Sequence, residues 1–101
     1  MANVTAYSVL LYGTKDGYQD NRAQIQLMDG STVLGWVRFH DRGAPFPEDS
    51  KTGDKIVMHL PSDMLAAVID VLRNEKPIKY YFASNHAFLG TAGPETVGEG
   101  E

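Results

Sequence analysis

The sequence predicts an α+β fold: a mainly antiparallel, twisted sheet of five or six strands in the order βββ–loop–βαββ, with one helix across one face. Three observations carry this. One segment has capped helical periodicity, six have strand-like composition bounded by turn residues, and one helix covers only one face of one sheet. The alternative is a small, partly closed β-barrel with the same helix, but a barrel's outer face should be polar. Leu10, Tyr12, Leu34 and Trp36 do not fit a solvated outer face.

In chain order, the strand candidates are Val4–Tyr12, Arg22–Met28, Thr32–His40, Lys55–Leu60, Ile78–Ala83 and Ala87–Thr91. Asp16-Gly17, Asp29-Gly30 and Ser84-Asn85 supply residues that tolerate positive φ and mark the reversals. The first strand carries Tyr7, Val9 and Leu11 on one face with Leu10 and Tyr12 on the other, which predicts a central position.

Asp29-Gly30 is the strongest hairpin signal, and its register decides which apolar set is left over. A three-residue loop with a bulge at Gly30 puts Ala23, Ile25 and Leu27 with Val33, Val37 and Phe39, leaving Leu34 and Trp36 opposite. A two-residue turn instead brings Leu34 and Trp36 to Ile25 and Leu27. The bulged register is preferred because it strands two apolar residues and not three.

The helix runs from Ser62, a good N-cap followed by Asp63 in the first turn, to Asn74, with Pro77 beyond it. Leu65, Val68, Ile69 and Leu72 form its apolar stripe. Burying those four side chains contributes roughly 6–12 kcal/mol gross, so the helix belongs to the core. Residues 41–54, with Pro45-Phe46-Pro47, form a polar connection longer than most, read as either a binding element or simply mobile, with Phe46 as the loop candidate and the loop as a lid in one function class. One domain over 1–92 is expected, followed by an acidic tail over 93–101 expected to be disordered.

Composition narrows the function classes. No apolar run reaches the roughly 20 residues a bilayer requires, and the first residues lack a signal-peptide pattern, so a cytoplasmic, non-membrane protein is expected. With no cysteine, thiolate chemistry and sulfur-bound zinc are excluded. The formal charge of −4 splits into nine Lys/Arg against ten Asp/Glu over 1–94, plus Glu95, Glu99 and Glu101. A nearly neutral body gives little steering toward phosphate, which disfavours nucleic acid.

Chemical motifs are weak. His40, His59 and His86 lie on separate segments without metal-ligand spacing, and the expectation is no metal and no cofactor. Ser84-Asn85-His86 is explained by hairpin chemistry, and no nucleophile elbow or phosphate loop appears, so no catalytic residue is assigned. Residues Ile25 to Asp41, with Leu27, Asp29-Gly30, Gly35 and Asp41, resemble the first motif of the Sm-like RNA-binding fold, which implies bent strands, a small barrel and ring assembly. The Asn expected after Asp41 is missing, no basic-Gly second motif follows, and a helix stands where that barrel would continue. No RNA-binding residue is carried over.

The resulting expectation is a non-catalytic protein-interaction module that self-associates, as a dimer first, through the sheet face opposite the helix. Leu34, Trp36 and Tyr81 are the expected anchors, with Arg38 and His40 as polar rim. A single-stranded nucleic-acid binder using Trp36 and Tyr81 beside Arg38, Arg42, Lys55 and Lys79 is the first alternative. The second is a small enzyme or ligand carrier with a pocket beneath Phe46, lined by His40 or His59.

Overall fold

The computed structural model describes residues 2–91; the expected tail, 93–101, lies outside the described residues. The architecture is α+β, with two sheets and one helical segment. The five-stranded sheet has the order β2-β3-β4-β6-β5, built from β2 (Ala6–Leu11), β3 (Ala23–Asp29), β4 (Thr32–His40), β5 (Ser50–Thr52) and β6 (Lys55–Pro61). The three-stranded sheet, β1-β7-β8, joins β1 (Ala2–Val4) to the hairpin of β7 (Ile78–Ala83) and β8 (His86–Thr91). Between β6 and β7, a 3₁₀ turn at Ser62–Met64 runs into α1 (Leu65–Asn74). Among the described residues, no helix is long and apolar enough to cross a membrane.

The strand expected over Val4–Tyr12 is two strands in two sheets. Ala2–Val4 pairs with β7 and Ala6–Leu11 with β3, the chain crossing over at Thr5. Thr5 fixes the crossing: its N–H donates to Met28 O at 2.8 Å, and its hydroxyl accepts the Gly30 N–H at 2.7 Å. Its double-sided apolar pattern therefore belongs to an edge strand, since β2 is outermost in its sheet.

The β3–β4 hairpin combines features of both expected registers. Asp29 faces Thr32 across a two-residue loop, with positive φ at Gly30 as a II′ turn requires. One extra residue, Leu34, then interrupts the ladder, so Met28 faces Val33 while Leu27 faces Gly35. From there Ile25 lies opposite Val37 and Ala23 opposite Phe39. The bulge thus returns Val37 and Phe39 to the core face, but it exchanges the roles of Val33 and Leu34. Leu34 packs against the core, and Val33 shares the Trp36 face.

Gly35 lies where β4 meets β6 in parallel pairing. Its φ is +150°, and a Cβ there would stand 1.9 Å from Ile56 O. Only glycine lets the two backbones approach this closely.

One core joins the elements: Ala23, Ile25, Leu27, Val37, Phe39, Ile56 and Met58 from the large sheet, Val68 from α1, and Tyr80 and Ala87 from the small sheet. Tyr80 is fully buried, and its hydroxyl donates to Trp36 O at 2.8 Å, satisfying a polar group that would otherwise be stranded. Burial holds the Tyr80 phenol protonated well above its ordinary range. Helix and small sheet both lie on the core side of the large sheet. The other side carries Gln24, Gln26, Val33, Trp36, Arg38, Val57 and His59, as strand alternation and register require.

Candidate functional site

The expected interface residues divide among four places. Trp36 and Arg38 do share the face away from the helix. Trp36 Nε1–H donates to Gln26 Oε1 at 3.2 Å, Arg38 Nε–H donates to Gln24 Oε1 at 3.1 Å, and the guanidinium lies 5.8 Å from the Trp36 ring centroid. A ladder of amide, indole and guanidinium groups therefore crosses β3 and β4, with Val57 and His59 beside it on β6. Leu34 is not on this face, for the reason given by the bulge. Tyr81 belongs to the three-stranded sheet, where it stacks on Phe88 at 5.1 Å.

His40 is not an exposed rim residue. It is 2 % exposed at the end of β4, under Phe46, whose ring centroid lies 5.3 Å away. Its Nδ1 sits 2.8 Å from Asp20 O and its Nε2 sits 2.8 Å from His59 Nδ1. A carbonyl accepts only, so His40 Nδ1 carries a proton; in the neutral pair His40 Nε2 then accepts from His59 Nδ1–H. His40 Nε2 and His59 Nε2 are then the two unprotonated nitrogens, and only the second has a lone pair not already used within the pair. Burial, then the neighbouring His40, then Arg38 push the His59 imidazole below its ordinary value, against the opposing pull of Asp49. Two of the three histidines, separate in the sequence, thus form a linked pair through a parallel β4–β6 contact that no local spacing signals, while His86 lies on β8.

The connection over 41–54 is tied down at several points. Its strand β5 pairs with β6. The Asp49 carboxylate accepts the His59 N–H at 2.8 Å and the Ala87 N–H at 2.9 Å, linking β6 of one sheet to β8 of the other. At its start, Asp41 accepts from Arg22 Nε at 2.9 Å and Nη2 at 2.7 Å, while Arg22 also donates to Tyr12 O, Thr14 O and Lys15 O. The guanidinium thereby holds the 12–15 loop against the end of β4. Arg22 keeps the Asp41 carboxyl below the usual carboxylate range, and the Ser62 hydroxyl adds to the same effect. Ser62, expected as a helix N-cap, makes no capping bond to the helix backbone; the segment enters through a 3₁₀ turn.

A cavity of about 270 Å³ is lined by Phe46 and His40 with Asp41, Ser62 and Asp63 among others. Phe46 is exposed at its rim. Both His40 nitrogens are already engaged, which leaves that ring without a free lone pair for a ligand. Among the described residues, no group of three or more His, Asp or Glu is placed to hold a metal ion. Comparison with protein-family models, with curated proteins and with solved structures gives no match for this chain.

Proposed function

We propose that the chain is a non-catalytic protein-interaction module that self-associates through the face of its five-stranded sheet opposite the helix. One observation supports this above the others: α1 and the small sheet cover the same side of the large sheet, and among the described residues no second layer lies on the Trp36 side. Trp36 is the central anchor, with Val57 beside it, Leu10 farther along the same face, and Gln24, Gln26, Arg38 and His59 as the polar rim. An indole flanked by a guanidinium and amides has the composition that dominates protein interface cores. The face also pairs its own polar groups, so a partner copy need not supply them.

Nucleic acid fits less well, because the bases are dispersed. Lys79 is on the other sheet, Arg42 lies in the 41–54 connection, and Lys55 is paired with Asp54 at 3.1 Å. Light scattering over a concentration series tests the reading. The expected result is self-association that Trp36→Ala weakens at least tenfold, with Trp36 emission shifting to the red on dilution. A concentration-independent monomer mass would sink it.

A further inference from the structure

The outer edge of β2 is the most exposed apolar element among the described residues. Val9, Leu10 and Leu11 are consecutive, and their exposures are 40 %, 54 % and 65 %. The strand Ala6–Leu11 contains no charge and no proline, the residues that ordinarily protect a sheet edge from pairing. Among the described residues, no strand pairs with its outer side.

The hydrogen-bond parity of this edge follows from its inner side. Tyr12 N–H donates to Arg22 O at 2.9 Å, continuing the register in which Leu10 faces Gln24 and Ser8 faces Gln26. Bonded and non-bonded positions alternate in an antiparallel ladder. Ala6, Ser8 and Leu10 therefore exchange bonds with β3, and the N–H and C=O groups of Tyr7, Val9 and Leu11 point outward.

We propose that a second copy pairs with this edge, antiparallel, about a twofold axis at Val9, so that two five-stranded sheets continue into one. In that register Val9 faces Val9 of the second copy, and Tyr7 faces its Leu11. All three outward-pointing residues then exchange backbone hydrogen bonds with their counterparts. Tyr7, Val9 and Leu11 lie on the helix side of the sheet, so Tyr7 of each copy covers the most exposed leucine of the other. On the opposite side Ser8 lies beside Leu10. The occupant is a second copy because the segment is self-complementary. An uncharged strand meets its own inverse without like-charge opposition, and each copy hides the same exposed surface that it covers on the other.

The inference rests on the self-association reading only for the existence of an oligomer, and its contact surface is a different one. Edge pairing leaves both Trp36 faces open and side by side.

The test compares the solution mass of wild type, Val9→Pro and Trp36→Glu. Val9 N–H points away from β3, so proline there removes an edge donor while sparing the β2–β3 ladder. Val9→Pro is expected to halve the wild-type mass at a fixed concentration, with association weakened roughly thirtyfold by the two lost symmetry-related hydrogen bonds. Circular dichroism should remain that of a folded chain. If this variant fails to fold, Val9→Lys retains the donor and places two like charges at the axis, with the same fall in mass expected at low salt. Hydrogen exchange should find the Tyr7 and Leu11 amides protected in wild type and rapid in either variant. An unchanged mass in a folded Val9 variant overturns edge pairing, whatever Trp36→Glu does. Loss of mass in Trp36→Glu alone leaves the face reading standing without the edge, and a wild-type monomer ends both.

Discussion

Gly35 and Tyr80 both act where β4 meets β6. The glycine lets β4 press against Ile56, and the Tyr80 hydroxyl reaches the adjoining Trp36 carbonyl. Gly35→Ala should therefore be severe, at about 3 kcal/mol or more in urea denaturation, because the clash is with backbone that has no rotamer to change. His59 gives a second single-residue expectation. Its folded value is depressed below 6.5, so its contribution to stability is full above that pH and declines as pH falls through the folded value. Denaturation midpoints should drop between pH 7.5 and pH 5, and His59→Gln should flatten that slope. A slope unchanged by the substitution would assign the pH dependence elsewhere. Asp41 acts in the same sense: Arg22 holds its carboxyl below the usual carboxylate range, so stability is lost at the acid end as that carboxyl is protonated and Arg22 loses its partner. None of these roles was legible from residue type. A histidine in a strand reads as a strand residue until the parallel β4–β6 contact supplies its partner.

Among the elements, the helical segment was the most legible, since its stripe and its termination are local patterns that packing did not override. Val68 is buried, and Leu65, Ile69 and Leu72 pack against the core as the spacing predicts. Strand positions were also legible, but strand partners were not, because pairing is decided by residues far away in the chain. The 41–54 connection illustrates this. Its polar composition suggested a lid, whereas Asp49 uses both carboxylate oxygens on backbone N–H groups of two different sheets. Asp49→Ala would strand both donors at part-buried positions and should reduce stability by about 2–3 kcal/mol, with Asp49→Asn intermediate. Equal stability of all three proteins would show that the two sheets are held together without that carboxylate.

Across the whole molecule, the expectation of one sheet with a helix became two sheets sharing a core, and the imbalance of burial survived the change. It also moved. Part of the surplus apolar surface, Leu34 among it, turned inward at the bulge, while Val9, Leu10 and Leu11 emerged as exposed because the first strand is an edge and not a central strand. The sequence shows a double-sided apolar strand in either case. Only the crossing at Thr5 distinguishes a central strand from an edge strand whose far end is exposed. Solution mass is thus the measurement on which both proposed contacts depend, with Trp36 and Val9 variants separating face from edge.

The crossing at Thr5 also orders events in time. The residues before it pair with β7, so Ala2 waits for Tyr80, almost the full described length of the chain away. During synthesis, β1 emerges well before its partner and finds its place only after β3, β4, β6 and α1 are available. Until then the half-formed core has neither Tyr80 nor the small sheet above it, and the uncharged β2 edge is exposed alongside. A chain halted before β7 should therefore be the form most prone to aggregate, because the segment that completes the fold is made after the other core elements and docks against β1.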